Sequence, residues 1–164
     1  MCGSSLKNNP QILAISGVKN SGKTTYLEKI INELRKKDLK IAVIKHDGHD
    51  FEADVKGTDS YRYAQAGAYG TAVFSKNKFM AVKACSEPNE KELMKLFPEA
   101  DIILIEGLKN SEYSKIELIR KEISNESVCS KETLMAIVTD TEIFMEGVPV
   151  LGFEDIAEMC ELIL

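Results

Sequence analysis

At 164 residues, 44% of them hydrophobic and 29% charged, the chain has the size and make-up of one globular domain that buries a core without metal or disulfide support. Its 26 acidic residues outnumber 21 basic ones, which excludes a general nucleic-acid or anionic-membrane binder, because either needs a broad positive field. Trp is absent and no apolar run approaches a membrane span or a signal-peptide core, so a cytoplasmic protein is expected.

Residues 1–9 read as a flexible leader and 10–164 as a single nucleotide-binding domain. Residues 11–16 form a short apolar run between Pro10 and Gly17, the signature of a buried strand. From Lys23 to about Lys37, Leu27, Ile30, Ile31 and Leu34 recur at helical spacing. Residues 41–44 are again continuously apolar, completing a βαβ unit. Residues 46–58 are polar and glycine-bearing, hence a loop, after which Thr58 or Asp59 caps a short helix to about Ala68. Two runs, 71–75 and 79–84, flank Lys76-Asn77-Lys78 as a β-hairpin inserted into the domain. Pro88 opens a helix to about Phe97, with Leu93, Met94 and Phe97 as its apolar face. Residues 102–105 are a buried strand, 115–121 a more exposed one, 134–138 and 148–151 further strands, and 154–164 a closing helix. This rhythm predicts an α/β fold of the P-loop NTPase type: a mostly parallel sheet flanked by helices, with the hairpin as an insertion.

The four cysteines, Cys2, Cys85, Cys129 and Cys160, are widely spaced with no Cys-x-x-Cys pair, so they read as thiols of a reducing compartment rather than zinc ligands. The strongest motif is Gly17-Val18-Lys19-Asn20-Ser21-Gly22-Lys23-Thr24, followed by Thr25, which fits G-x-x-x-x-G-K-[ST] between a strand and a helix. The glycines let backbone amides wrap a phosphate, and the helix N-terminus reinforces the nest. Lys23 is expected on the β- and γ-phosphates and Thr24 on a bridging Mg²⁺. Glu106, at the end of strand 102–105, is the candidate second Mg²⁺ carboxylate in place of the usual Asp.

Base recognition is less specified. Asp140, after strand 134–138, can read guanine N1–H and its 2-amino group, or can be a turn residue. His46 and His49 are the only histidines; the loop carrying them fits substrate or phosphate recognition, a metal pair, or a solvated surface. Asp59-Ser60 and Arg62 with Ala66-Gly67-Ala68 read equally as a capped, closely packing helix. Three arginines, Arg35, Arg62 and Arg120, do not cluster in sequence, and none is evident as an arginine finger.

Taken in order, Gly17 to Thr25, Ile44-Lys45-His46 with His49-Asp50, Gly57-Thr58-Asp59-Ser60, Ala66-Gly67-Ala68, Ile105-Glu106-Gly107-Leu108-Lys109 and Lys115-Ile116-Glu117 resemble the molybdopterin-guanine dinucleotide biosynthesis adaptor family, MobB. The resemblance covers roughly residues 11–164. It implies a GTP- and Mg²⁺-binding protein with weak GTPase activity. Such a protein assists the guanylyltransferase that joins GMP to molybdopterin, with molybdopterin or a molybdoenzyme as further partners, and acts as a homodimer. It implies nucleotide-binding roles for Gly17 to Thr25, a Mg²⁺ or water role for Glu106, and a substrate- or dimer-facing surface of His46, His49, Asp59 and Lys109. Leu108 departs from the family, which tends to an aromatic residue there. Other readings are a metal-insertion accessory GTPase, a small-molecule kinase, or a nucleotide-independent scaffold.

Overall fold

The computed structural model describes residues 9–49 and 51–164. Most of the expected leader, together with Cys2 and Asp50, therefore lies outside the described residues. The chain forms two compact units, residues 47–89 and the remainder. The hairpin expected as an insertion at 71–84 shares the smaller unit with a helix and the polar loop before it.

In chain order the elements are β1 (Gln11–Ser16), α1 (Lys23–Arg35), β2 (Ile41–Lys45), α2 (Asp59–Gln65), β3 (Gly70–Phe74), β4 (Phe79–Lys83), α3 (Glu90–Met94), β5 (Ile102–Glu106), β6 (Lys115–Ile119), β7 (Leu134–Thr139), β8 (Val150–Leu151) and α4 (Ile156–Ile163). The larger unit is a six-stranded sheet in the order β2-β5-β1-β6-β7-β8, parallel at every pairing. Alternation along each strand sends side chains to opposite faces. Leu13, Ile15, Leu104, Ile116 and Val138 meet Leu27, Ile30 and Leu34 of α1 and Met159 and Ile163 of α4. Each such fully buried aliphatic side chain contributes about 1.5–3 kcal/mol. On the other face Ala42, Ile44, Ile103 and Ile105 form a second cluster, with Met94 of α3 against it.

Strand β6 corrects the expectation of an exposed strand over 115–121: all five of its residues are buried, and it lies between β1 and β7. The polar residues that suggested exposure are satisfied internally. Lys115 Nζ donates to the carbonyls of Ser111 and Tyr113, and Glu117 accepts from the Ser127 hydroxyl and, at 2.6 Å, from the Val128 amide. A buried charge is tolerated only when its hydrogen-bonding capacity is met in this way. Desolvation lowers the Lys115 pKa.

Beside this cluster, burial and then the Glu117 carboxylate push the Cys129 thiol up to about 11. A thiol held protonated is a poor nucleophile. At pH 8 its alkylation by iodoacetamide is expected to be about 100-fold slower than for an ordinary exposed thiol. Peptide mass spectrometry checks this; equal labelling of Cys129 and the exposed Cys85 would refute it. The sign for stability follows: the native state keeps the proton longer than the unfolded one, so this contribution is full below pH 9.0 and is lost as pH rises through about 11.

Local differences have local causes. Helix α3 stops at Met94, and Leu96 and Phe97 close onto Leu93 and Met94 by i to i−3 bonds. Of its expected apolar face only Met94 packs against the cluster, while Leu93 and Phe97 are 40% and 36% exposed. In the smaller unit, the Thr58 hydroxyl caps α2 by accepting from the Tyr61 amide, and the helix ends before Gly67 at φ +96°. The hairpin pairs Phe74 with Phe79 and closes through Ser75 N–H to the Lys78 carbonyl, around the predicted Asn77 turn.

Candidate phosphate-binding site

The site is built where β1 ends and α1 begins, at the carboxyl edge of the parallel sheet, the edge at which α/β proteins bind ligands. The loop takes a path that ordinary residues resist: Gly17 has φ +135°, Asn20 +65° and Gly22 +90°. Gly17 also has no room for a side chain, since a Cβ there would lie 2.5 Å from the Leu118 carbonyl oxygen and 2.9 Å from Ser21 Oγ. Gly22 is the N-cap of α1, which has no side-chain cap and no acidic residue in its first turn. Its free N–H groups and the helix dipole therefore favour an external anion.

Lys23, the first residue of α1, folds back over the loop and donates to the carbonyls of Val18 at 2.8 Å and Gly17 at 3.2 Å. Desolvation lowers its pKa, partly opposed by Glu106, with Lys45 lowering it further. The Thr24 hydroxyl lies 3.3 Å from both carboxylate oxygens of Glu106. A hydroxyl and a carboxylate facing each other make a hard oxygen donor set that fits Mg²⁺. The Glu106 side chain is only 12% exposed, and Lys45 Nζ reaches it at 3.9 Å.

Three strand ends are stitched together here. The Ser16 hydroxyl donates to the Gly107 carbonyl at 2.7 Å, Gly107 N–H donates to Ile15, and His46 N–H donates to the Glu106 carbonyl. Gly107 takes φ +113°, a conformation that favours glycine, and lies beside His46 at ordinary contact distance. Leu108, the departure from the family pattern, adopts φ +50° and packs against the second cluster.

The structure thus brings together Gly17, Ser21, Gly22, Lys23, Thr24 and Glu106, with His46 alongside Gly107. Lys19, Asn20 and Thr25 are exposed on the loop and the first turn of α1. Asp140 sits at the end of β7, where one oxygen accepts the Lys121 amide at 2.7 Å, tying it to the end of β6. Lys109 lines a polar hollow of 430 Å³ with Asn110, Ser111, Glu112, Ser130, Glu132 and Thr133, a wall that includes no loop residue. His49 and Asp59 belong to the smaller unit, where His49 N–H donates to Asp47 Oδ1 and Asp59 pairs at 3.7 Å with Arg62. Among the described residues, no three His, Cys, Asp or Glu side chains are grouped to hold a metal.

Sequence reasoning missed one residue. Arg120, just past β6, brings its guanidinium to the loop: Nε lies 3.5 Å from the Ser21 carbonyl oxygen, and Nη2 would be 3.2 Å from a Cβ on Gly22. Some 99 residues separate Arg120 from Ser21, and only the β1–β6 pairing makes them neighbours.

Residues 12–140 match the model of a family described as MobB, molybdopterin guanine dinucleotide synthesis protein B. The chain is 31% identical over 138 residues to a molybdopterin-guanine dinucleotide biosynthesis adapter protein of Haemophilus influenzae, covering 82% of this chain and 78% of that protein. It is 29% identical over 160 residues to the Escherichia coli protein of the same name, covering 93% and 91%. A crystal structure of Bacillus subtilis MobB superposes with a TM-score of 0.77 at 28% identity, covering 93% of this chain and 95% of that one. With a phosphate-type loop on a parallel sheet and a family match over most of its length, the chain belongs to the MobB family.

Proposed function

We propose that this protein is a GTP-binding adaptor with slow GTPase activity that assists attachment of a guanine nucleotide to molybdopterin. The observation that carries the reading is the loop itself: an uncapped helix N-terminus, a lysine folded over it, and a Thr24–Glu106 oxygen pair beside it. On anion entry Lys23 exchanges its two carbonyl partners for phosphate oxygens, and the loop amides take the rest. Thr24 and Glu106 would hold Mg²⁺, which supplies neutralising charge on the β- and γ-phosphates. By analogy with P-loop GTPases that act without a partner-supplied arginine, hydrolysis should be slow, on the order of 10⁻⁴ to 10⁻² s⁻¹. Asp140, at the strand end where a base-contacting loop belongs, is the proposed guanine reader. The relatives' names support the adapter role; a molybdenum cofactor guanylyltransferase as partner, a homodimer as assembly and the cytoplasm as place are part of the same proposal.

The test is calorimetric titration with GTP and with ATP, each with Mg²⁺. GTP-selective binding is expected. Preference for ATP would favour a kinase, and binding of neither would leave the loop a relic of the fold.

A further inference from the structure

We propose that Arg120 is a positioning residue that braces the phosphate loop from the β6 side. Its guanidinium stacks 4.2 Å above the Phe153 ring, and Phe153 in turn meets Tyr26 edge-on at 6.2 Å. Tyr26 stands in the first turns of α1, and its amide bonds the Gly22 carbonyl. A closed circuit therefore runs from Ser21 through Arg120, Phe153 and Tyr26 back to Gly22. Arg120 makes no ion pair among the described residues; its Nε reaches the Ser21 carbonyl oxygen at 3.5 Å and its Nη2 lies beside Gly22.

The geometry gives this a purpose. In a phosphate nest the N–H groups point inward and the carbonyls point out. Holding the Ser21 carbonyl from outside keeps the Ser21–Gly22 peptide, and hence the Gly22 and Lys23 amides, turned toward the anion. Glu106 lies on the β5 side of β1 and Arg120 on its β6 side, so the loop is steadied from both neighbouring strands. A lysine would keep the charge but lose both the stacking plane and the Nε donor. Any effect on GTP rests on the adaptor reading above, but the bracing itself does not.

The experiment is hydrogen exchange of the nucleotide-free protein, wild type against Arg120→Ala and Arg120→Lys, followed by GTP titration of each. Exchange over residues 17–25 should accelerate about tenfold in both variants, while β7 stays protected. GTP affinity should fall about tenfold in both. Unchanged loop exchange, an equal rise across β7, or, where the wild type binds GTP, undiminished affinity in the variants would overturn the proposal. If the alanine variant does not fold, the lysine variant decides alone. Faster loop exchange in a protein that binds no GTP would uphold the brace and sink the adaptor reading.

Discussion

Replacing Lys23 with alanine will weaken binding of GTP with Mg²⁺ by about 100-fold or more and leave the fold intact. The two effects separate because Lys23 has different partners in each role. In the structure it donates to two loop carbonyls, at 2.8 and 3.2 Å, in a half-exposed setting. Water can replace it there, so the loss is about 1 kcal/mol, a fall in Tm of no more than about 4 °C. Relief of the desolvation that lowers its pKa offsets part of even this. Toward a polyphosphate it is already folded over the nest, and two charge-assisted bonds at about 1.5–3 kcal/mol each exceed the predicted loss. The depressed pKa adds a pH signature. If the charged amine binds the phosphate as proposed, affinity should decline at a pH below the 10.5 of an ordinary lysine. Calorimetry and a melting curve on the same variant check both halves. Unchanged affinity would move the phosphate site away from this loop.

The parts of this site that were legible in the sequence are local ones. Strand, loop and helix over residues 11–35 are contiguous, so turn glycines, the Lys23-Thr24 pair and helical periodicity could be read together. The hairpin was legible for the same reason, with two apolar runs around one polar turn. Glu106 was found because an apolar strand ending in a carboxylate has a mechanical meaning in this fold. Arg120 was not, since sequence distance hides a neighbour made by parallel pairing. Strand β6 was misread because Lys115 and Glu117 look like solvent-facing alternation, yet backbone groups of Ser111, Tyr113 and Val128 satisfy them. Periodicity reports polarity, and here polarity and exposure part company.

Gly17→Ala should be more damaging to the fold than Lys23→Ala, by about 3–5 kcal/mol against about 1. Two terms add. At φ +135° an L-residue is strained, which costs about 1–3 kcal/mol by itself. The new methyl would also stand 2.5 Å from the Leu118 carbonyl oxygen and 2.9 Å from Ser21 Oγ. Leu118 is backbone of a buried central strand that pairs with both β1 and β7, so it has little freedom to retreat. Ser21 Oγ is itself buried without a hydrogen-bond partner, so shifting it disturbs the loop as well. Gly57 isolates the first term, for it has φ +94° but nothing within 4 Å of the added carbon. Gly57→Ala should cost only about 1 kcal/mol, and Gly48→Ala, open and without positive φ, close to nothing. Urea denaturation of the three variants gives the ordering. If Gly17→Ala falls with Gly57→Ala, strand β6 yields to the methyl, and the loop's path is set by backbone conformation alone rather than by the close approach of β6.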